Sequence, residues 1–365
     1  MSATRAIDLE DVEGLLAADR DGLLRAAASA GAQVRAVAAA AEEGALDLLR
    51  VDHPPRSVIW VAGRGTAETA GAVLAATLGG RVSAPIAVLG EAPPWVGPLD
   101  VLIVAGDDPG DPALVTSAAT GVRRGARVVV AAPYAGPLRD STAGRVAVLA
   151  PRLRIPDEFG LCRYLAAGLA AVHTVDPRTG IDLARLADEL DAEALRNSVG
   201  RELFTNPAKT IATRMSGRRV ALAGDCAAAL AVARHGSSLL LRISREVVAA
   251  AGLADAVVAL RAPDGPGDAQ SSGDALFHDE QIDGPLPERL RVLVLTLAAE
   301  RPVVAARVAG AGDVHLVCAE DVPEVPGLAA AGERVPTGAG SAWQQLAVLA
   351  VRLEMAAVYM QLVRG

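Results

Sequence analysis

The feature that most constrains the fold is an order of patterns that occurs twice along the chain. In each half, a short apolar run is followed by a glycine-containing turn and then by a stretch compatible with a helix. The first run covers residues 57–62 and the second residues 219–223. Short apolar runs that alternate with helical stretches are typical of buried parallel strands joined by crossover helices. The repetition predicts an α/β protein with two tandem, doubly wound parallel-sheet domains.

The remaining pattern supplies the other elements of both domains. Further strands are predicted at residues 85–89, 101–105, 127–132, 291–297 and 314–318. Helices are predicted at residues 66–78, 112–124, 157–173, 182–197, 207–215 and 226–235. An alanine-rich stretch over 19–49 predicts an N-terminal helical segment, residues 339–363 predict a long C-terminal helix, and the glycine- and proline-rich stretch 262–273 predicts a loop.

The expected domain organisation follows from these elements. It comprises N-terminal helices over residues 1–50, a first domain over 51–175, a helical connector over 176–205 and a second domain over 206–365. A chain of 365 residues exceeds the size at which one core keeps growing, which also favours two domains. Because hydrophobic residues make up 52% of the chain and aromatic residues only 2%, alanine, valine and leucine must fill both cores.

Composition also narrows the classes of partner. The net charge is -8 and no basic run is interleaved with aromatic residues, which argues against nucleic-acid binding. Cys162, Cys226 and Cys318 form no CxxC pair, so neither a disulfide framework nor a zinc site is expected, and the three thiols are predicted to be core residues. The N-terminus lacks the features of a secretory signal, and no stretch approaches about 18 uncharged apolar residues, the length that spans a bilayer. We therefore expect a cytoplasmic protein with no membrane partner and no metal.

The turn after the first predicted strand is the main candidate for a ligand site. It contains Gly63, Arg64, Gly65 and Thr66 and directly precedes a predicted helix. Glycine lets the backbone approach a ligand, and the first N–H groups of a helix attract anions. A tight turn without a ligand explains the same residues, because glycine tolerates a positive φ.

Five phrases occur in one order along the chain: APIAVLGEAPPWVGPLDVLIVAG, RRGARVVVAA, NPAKTIA, FHDEQIDGP and GAGSAWQQLAVLAVRLEMAAVYMQLVRG. Their order resembles that of the bacterial bifunctional phosphoglucose/phosphomannose isomerase family, and the chain looks like a divergent, actinobacterial-type member from about residue 57 to its end. The resemblance implies two sugar isomerase domains per chain, a homodimer and an active site near the domain junction. It also implies aldose–ketose isomerisation of mannose 6-phosphate or glucose 6-phosphate to fructose 6-phosphate, without metal or organic cofactor.

The first departure from that family lies where its serine-rich phosphate loop would be. The chain has Asp107, Asp108 and Asp111 there instead of hydroxyl side chains. A carboxylate about 4 Å from a phosphate costs several kcal/mol at intermediate dielectric. We therefore expect this loop to bind no phosphate and to be a solvated acidic turn, although a bridging Mg²⁺ is a second interpretation.

The second departure concerns catalysis, because the Asn-Glu-Asn and Asn-His-Asn motifs of the family are absent from residues 239–263. The substitute catalytic candidates are Glu246, His278 and Lys209. Arg242 lies four residues before Glu246, a spacing that predicts a helix-surface ion pair competing with a role as base. His235 is predicted at a helix C-terminus, where it would act as a cap.

Two functions remain open at this stage. The first is a sugar-phosphate isomerase with weakened activity, and the second is a catalytically silent homologue that binds a sugar phosphate or a partner protein. A dinucleotide-binding oxidoreductase is disfavoured because GRGTAE lacks the third glycine of the fingerprint. A stripe on the C-terminal helix supports a homodimer, unless it is intramolecular core: Leu346, Leu349, Leu353, Ala357 and Met360.

Overall fold

The computed structural model describes residues 7–261, 289–320 and 340–364, and it confirms the α/β architecture with two parallel sheets. The first sheet has the order β2-β1-β3-β4-β5. Its strands are β1 (Ser57–Val61), β2 (Ile86–Leu89), β3 (Asp100–Ala105), β4 (Arg127–Ala131) and β5 (Ala147–Val148). Every adjacent pair is parallel, with Val58 beside both Ile86 and Val101.

The second sheet repeats the same winding in the order β7-β6-β8-β9. Its strands are β6 (Arg219–Gly224), β7 (Ala249–Gly252), β8 (Leu290–Leu295) and β9 (Val314–Val317), again all parallel. In both sheets the first strand lies in the interior, and the next strand along the chain pairs with one of its edges. The chain then crosses to the other edge, which creates a switch point at the carboxyl ends of β1 and β6.

The helices surround these sheets and join them. They are α1 (Val12–Ala18), α2 (Leu23–Ala27), α3 (Ala30–Glu42), α4 (Gly65–Leu78), α5 (Pro112–Arg123), α6 (Gly136–Thr142), α7 (Leu161–Val175), α8 (Leu183–Arg196), α9 (Pro207–Met215), α10 (Ala227–Ile243), α11 (Leu253–Arg261), α12 (Arg301–Val308) and α13 (Ala342–Arg364). The N-terminal segment predicted as one helix over 19–49 is instead divided. Gly22 and Gly44 adopt φ values of 67° and 91°, which a continuing right-handed helix does not allow.

A small-residue core forms around the first sheet, as the composition requires. Trp60 of β1 is fully buried, and its Nε1 donates a hydrogen bond of 2.9 Å to the carbonyl oxygen of Ala67. A Cβ at Gly71 would lie 2.3 Å from the Trp60 ring, and one at Gly168 would lie 2.9 Å from it. Helices α4 and α7 therefore approach β1 closely because they carry glycine where they meet this ring.

Helix α13 is buried on nearly all sides and packs against α8, α9 and α10. The stripe considered for dimerisation lies in the core of this one chain, so it gives no support to a homodimer, which stays a prediction. Among the residues that the structure describes, α13 is the one helix long and apolar enough to cross a membrane. Because 89% of its apolar window is buried inside the protein, the core accounts for its composition.

A buried ion pair fixes α13 to the connector helix α8. The Nε of Arg352 donates to Glu193 at 2.7 Å, and its two Nη atoms donate to the carbonyl oxygens of Cys318 and Ala319 at 2.8 and 3.1 Å. Both charged side chains are at most 1% exposed. Burial opposes ionisation of Glu193, but Arg352 holds the pKa of that carboxyl below its usual value. The network joins α8, α13 and the end of β9.

The three cysteines are free thiols. Cys162 and Cys318 are buried, in agreement with their prediction as core residues. Cys226 is only half-buried because it precedes the first residue of α10, at the edge of the core.

Candidate functional site

The glycine turn has the backbone geometry of an anion cradle. Helix α4 begins at Gly65, which has a φ of 67°, and Arg64 precedes it in an extended conformation. No side chain caps this end of α4 among the residues described. Its first N–H groups therefore remain available to an anion, and the role of Gly63, Arg64, Gly65 and Thr66 in phosphate binding stays a prediction.

Asp157 closes the turn on the side of the strand ends. The Thr66 hydroxyl donates to its carbonyl oxygen at 3.0 Å and contacts its Oδ2 at 3.1 Å. Tyr164 donates its hydroxyl to Oδ1 at 2.9 Å, and Arg163 lies 3.8 Å from the same oxygen. The cavity left between this carboxylate and the turn is only about 10 Å³. That is about the space of one water, so a phosphate does not fit on this side.

A second cavity, which we call the interdomain pocket, opens on the other side of the turn. It lies between α4 of the first half and α10 of the second, with a volume of about 160 Å³. Its lining includes Gly65, Thr66, Glu158, Arg234, His235 and Arg242. The pocket therefore brings the predicted glycine turn together with basic and acidic residues that sequence analysis did not connect to it.

The two arginines of the interdomain pocket differ in their partners. Arg242 donates to Glu158 Oε1 at 2.7 Å, so its charge is compensated. Arg234 is exposed and makes no hydrogen bond or ion pair with the residues that the structure describes. An uncompensated cation beside an uncapped helix N-terminus favours an anionic ligand.

His235 pairs with Glu354 at the inner wall of this pocket. Its Nε2 lies 3.2 Å from Glu354 Oε1, and the two side chains are 4% and 1% exposed. Burial raises the pKa of Glu354, whose Oε2 has no hydrogen-bond partner among the described residues. The predicted role of His235 as a helix cap is wrong, because α10 continues to Ile243 and places the imidazole against α13. The pair could instead donate and accept a proton at the pocket wall.

Lys209 lies apart from the interdomain pocket. It is fully buried, and its Nζ donates to the carbonyl oxygens of Val199 and Arg201, both at 2.8 Å. The ammonium also lies 5.5 Å from the centre of the Tyr359 ring. Burial lowers the pKa of Lys209. This geometry gives the ammonium a structural role that joins α9 to the chain before it.

Glu246 also lies outside the interdomain pocket, and its predicted partner is wrong. Helix α10 ends at Ile243, and Arg245 adopts a left-handed φ of 56°. The four-residue spacing from Arg242 is therefore not a helical spacing. Glu246 pairs instead with Arg364 at the end of α13. The third catalytic candidate, His278, and the predicted loop 262–273 lie outside the described residues.

The acidic loop after β3 uses its carboxylates to hold its own backbone. Asp108 Oδ1 accepts the Gly110 N–H at 2.8 Å, and Asp111 Oδ1 accepts the Ala113 N–H at the start of α5 at 2.9 Å. No group of three or more His, Cys, Asp or Glu side chains in the described ranges is arranged to hold a metal ion. These local hydrogen bonds explain the presence of two of the three carboxylates without a bound metal ion.

Sequence analysis missed the residues that structure brings to the glycine turn. Asp157 and Glu158 were read only as the start of a helix, whereas they form a short 3₁₀ turn before α7. His235 and Glu354 are 119 residues apart, so no local pattern connects them. The one usable signal was Glu354 itself, because a carboxylate in a long apolar helix needs a buried partner.

Comparisons with known proteins agree on the fold. No protein-family model matches the sequence, and no curated protein does. A candidate phosphosugar isomerase from Silicibacter pomeroyi is similar over 93% of this chain and 95% of its own, with a TM-score of 0.58 and 17% identity. One from Clostridium difficile covers 94% and 93%, with a TM-score of 0.61 and 10% identity. Tagatose-6-phosphate ketose/aldose isomerase from Escherichia coli covers 100% and 94%, with a TM-score of 0.53 and 14% identity. At these identities the likeness shows the fold alone.

Proposed function

We propose that this chain, which has the fold of the phosphosugar isomerases, binds the phosphate group of a hexose 6-phosphate in the interdomain pocket. The observation that carries the proposal is the position of Arg234, an uncompensated cation, beside the uncapped N-terminus of α4. A helix N-terminus and a guanidinium are both good partners of a phosphate. Because Asp157 closes the other side of the glycine turn, an anion can approach the turn from the side of the interdomain pocket.

We further propose that aldose–ketose isomerisation at this pocket is weak. Transfer of a proton between adjacent carbons needs a base within hydrogen-bond reach of the carbon-bound hydrogen. Glu68 and Glu158 both line the pocket; Glu68 is exposed, and the half-buried Glu158 holds Arg242 at 2.7 Å. It must release that guanidinium before it can accept a proton, whereas phosphate binding needs no such change. A catalytically silent sugar-phosphate-binding protein is the second candidate, favoured by this same ion pair.

The resemblance in sequence supports the finer parts of the proposal. We propose that the ligands are mannose 6-phosphate, glucose 6-phosphate and fructose 6-phosphate, and that the chain belongs to the bifunctional phosphoglucose/phosphomannose branch. A cytoplasmic homodimer that needs no cofactor belongs to the same proposal. Equilibrium sedimentation at micromolar concentration tests the dimer, which a monomer would exclude.

Calorimetric titration with fructose 6-phosphate and mannose 6-phosphate tests the binding site. A hydrogen bond to a charged group contributes about 1.5–3 kcal/mol, so Arg234→Ala should weaken binding by roughly ten- to a hundredfold. Arg218→Ala is a matched control, because Arg218 is exposed and does not line the pocket. Equal affinity of the two variants would exclude the interdomain pocket as the phosphate site.

A coupled isomerase assay with both hexose 6-phosphates tests turnover separately. Loss of a general base costs about a hundred- to ten-thousandfold, so Glu158→Gln should abolish the weak activity while its affinity changes little. Activity that survives in Glu158→Gln but disappears in Glu246→Gln or His278→Ala would assign the base to those residues instead. Binding without turnover in the wild-type protein would establish the silent homologue.

A further inference from the structure

A larger cavity lies at the carboxyl ends of the first sheet. This strand-end cavity has a volume of about 670 Å³ and is lined by Asp107 after β3, Pro133 after β4, and Pro151 and residues 153–157 after β5. Gln33 of α3 and Arg163 of α7 form its inner wall. Asp157 separates it from the glycine turn. Cavities of this size, outside the carboxyl ends of parallel strands, are the usual place for small ligands in α/β folds.

A buried hydrogen-bond acceptor in this cavity has no partner. Gln33 is only 2% exposed, and its Nε2 donates to Ser29 Oγ at 3.0 Å and to the Phe159 carbonyl oxygen at 2.9 Å. Because a carbonyl oxygen can only accept, this contact fixes which end of the amide is nitrogen. The Oε1 atom of Gln33 has no hydrogen-bond partner in the part of the chain that the structure describes. Buried polar atoms in folded proteins are rarely left so, which points to a donor supplied by a ligand.

Two arginines in the same cavity also have unused donors. The Nη1 atom of Arg163 is buried without a hydrogen-bond partner among residues 7–261, 289–320 and 340–364, and the Arg163 side chain is 14% exposed. Its guanidinium is stacked at 4.0 Å on the Tyr164 ring, which fixes its plane. Arg154 is exposed and has no hydrogen bond or ion pair with any residue in the described ranges. The cavity therefore presents two cationic donors and one neutral acceptor.

The rest of the lining restricts the ligand further. Pro133, Pro151, Pro156, Leu153 and Ile155 give the cavity an apolar wall, which suits a flat ring better than a polyol. Asp107 and Asp157 are also in the lining. Two carboxylates beside two guanidinium groups leave little net positive charge, so a single phosphate is better accommodated than a polyphosphate.

We propose that the strand-end cavity is a second ligand site, distinct from the interdomain pocket, for an organic monophosphate whose flat ring carries an N–H donor, as in a nucleoside monophosphate. The phosphate pairs with Arg154 and Arg163, the ring packs on the proline wall, and the ring N–H donates to Gln33 Oε1. The Nη1 atom of Arg163, the Arg154 guanidinium and Gln33 Oε1 have no hydrogen-bond partner among the described residues, and the proline wall is apolar.

Calorimetric titration of the full chain with AMP, ribose 5-phosphate and inorganic phosphate tests this site. AMP should bind, and ribose 5-phosphate, which lacks the ring, should bind at least tenfold more weakly. Arg154→Ala should weaken AMP binding by about tenfold, since it removes one charge-assisted contact. The matched control Arg152→Ala removes an equal charge two residues away, from an exposed pair with Glu43, and should leave the affinity within twofold.

Two further variants separate this site from the interdomain pocket and from effects on folding. Gln33→Met should weaken AMP binding more than ribose 5-phosphate binding, because only the ring donor is lost, while thermal unfolding verifies that the variant is folded. Arg234→Ala should leave AMP binding unchanged. Absence of AMP binding, equal affinity for AMP and inorganic phosphate, or an AMP affinity that depends on Arg234 rather than on Arg154 would overturn the proposal.

Discussion

The position of the Asp157 carboxylate predicts how the affinity for hexose 6-phosphates changes when its charge is removed. The carboxylate accepts hydrogen bonds from Thr66 and Tyr164. It occupies the position in which the glycine turn would otherwise bind an anion from solution. Asp157→Asn removes the negative charge but keeps an oxygen that can accept a hydrogen bond. We expect this variant to bind hexose 6-phosphates more tightly than the wild-type protein, because a repulsive charge near the α4 N-terminus is removed.

The size of the effect follows from the geometry. A phosphate oxygen hydrogen-bonded at the turn would lie about 4 Å or more from Asp157, and two unit charges at that distance repel by about 4 kcal/mol at an effective dielectric of about 20. Asp157 is 19% exposed and Arg163 lies 3.8 Å away, and both facts reduce this value. A remaining repulsion of about 1.4 kcal/mol corresponds to a tenfold change in the dissociation constant, which is our expectation.

Calorimetric titration with fructose 6-phosphate at low and at physiological ionic strength measures this change. Asp140→Asn is the matched control, because Asp140 is exposed on α6 and pairs only with its neighbour Arg139. It should change the affinity little at either ionic strength. Unchanged affinity in Asp157→Asn would refute the electrostatic argument, and weaker binding would show that the carboxylate helps to shape the site.

Three further predictions concern the buried charges. Arg352→Met leaves the buried Glu193 charge with Arg196 as its remaining ion-pair partner and should lower the free energy of unfolding in urea by about 3 kcal/mol, whereas Arg35→Ala, which removes two exposed pairs, should lower it by about 1 kcal/mol or less. Similar losses would contradict the burial argument. Lys209→Met should lower the melting temperature, because two carbonyl oxygens lose their donor, yet leave ligand affinity unchanged; a selective loss of turnover would restore its catalytic role. Burial raises the pKa of Glu354, so its contribution to stability is present at low pH and is lost as pH rises through the raised pKa. Calorimetric melting of Glu354→Gln should therefore show a gain in stability that grows toward alkaline pH, and a gain confined to acid pH would be inconsistent with this sign.

The interior strands could be predicted from the sequence because a strand that is buried on both faces consists of a continuous run of apolar residues. Residues 57–62 predicted β1, which ends at Val61, and residues 101–105 predicted β3, which ends at Ala105. Two of the edge strands, β2 and β9, were also predicted, at residues 85–89 and 314–318, whereas the edge strands β5 and β7 carry no such signal. β7 (Ala249–Gly252) consists of alanine and glycine and has no β-branched residue, and β5 (Ala147–Val148) has only two residues, too few to give a recognisable pattern.

The candidate site was predicted less well because its contacts are long-range. The glycine turn was recognised from local chemistry, since a positive φ and a helix start are properties of adjacent residues. The contact of Asp157 with Thr66 spans 91 residues, and no local spacing encodes it. The Arg242 to Glu246 pair failed for a local reason instead, because the left-handed backbone at Arg245 ends the helix before the second partner is reached.

The polar residues that most resemble catalytic groups in this sequence hold the C-terminal helix in place. Glu246 pairs with Arg364, Glu354 pairs with His235, and the Lys209 ammonium lies against the ring of Tyr359, so each connects α13 to another part of the chain. Substitution of any of them will change stability whether or not it affects turnover, and loss of activity alone cannot distinguish the two causes. The partly exposed residues Arg234 and Glu158 avoid this ambiguity, since neither supports α13, and a change in ligand binding or turnover there reports on the interdomain pocket itself.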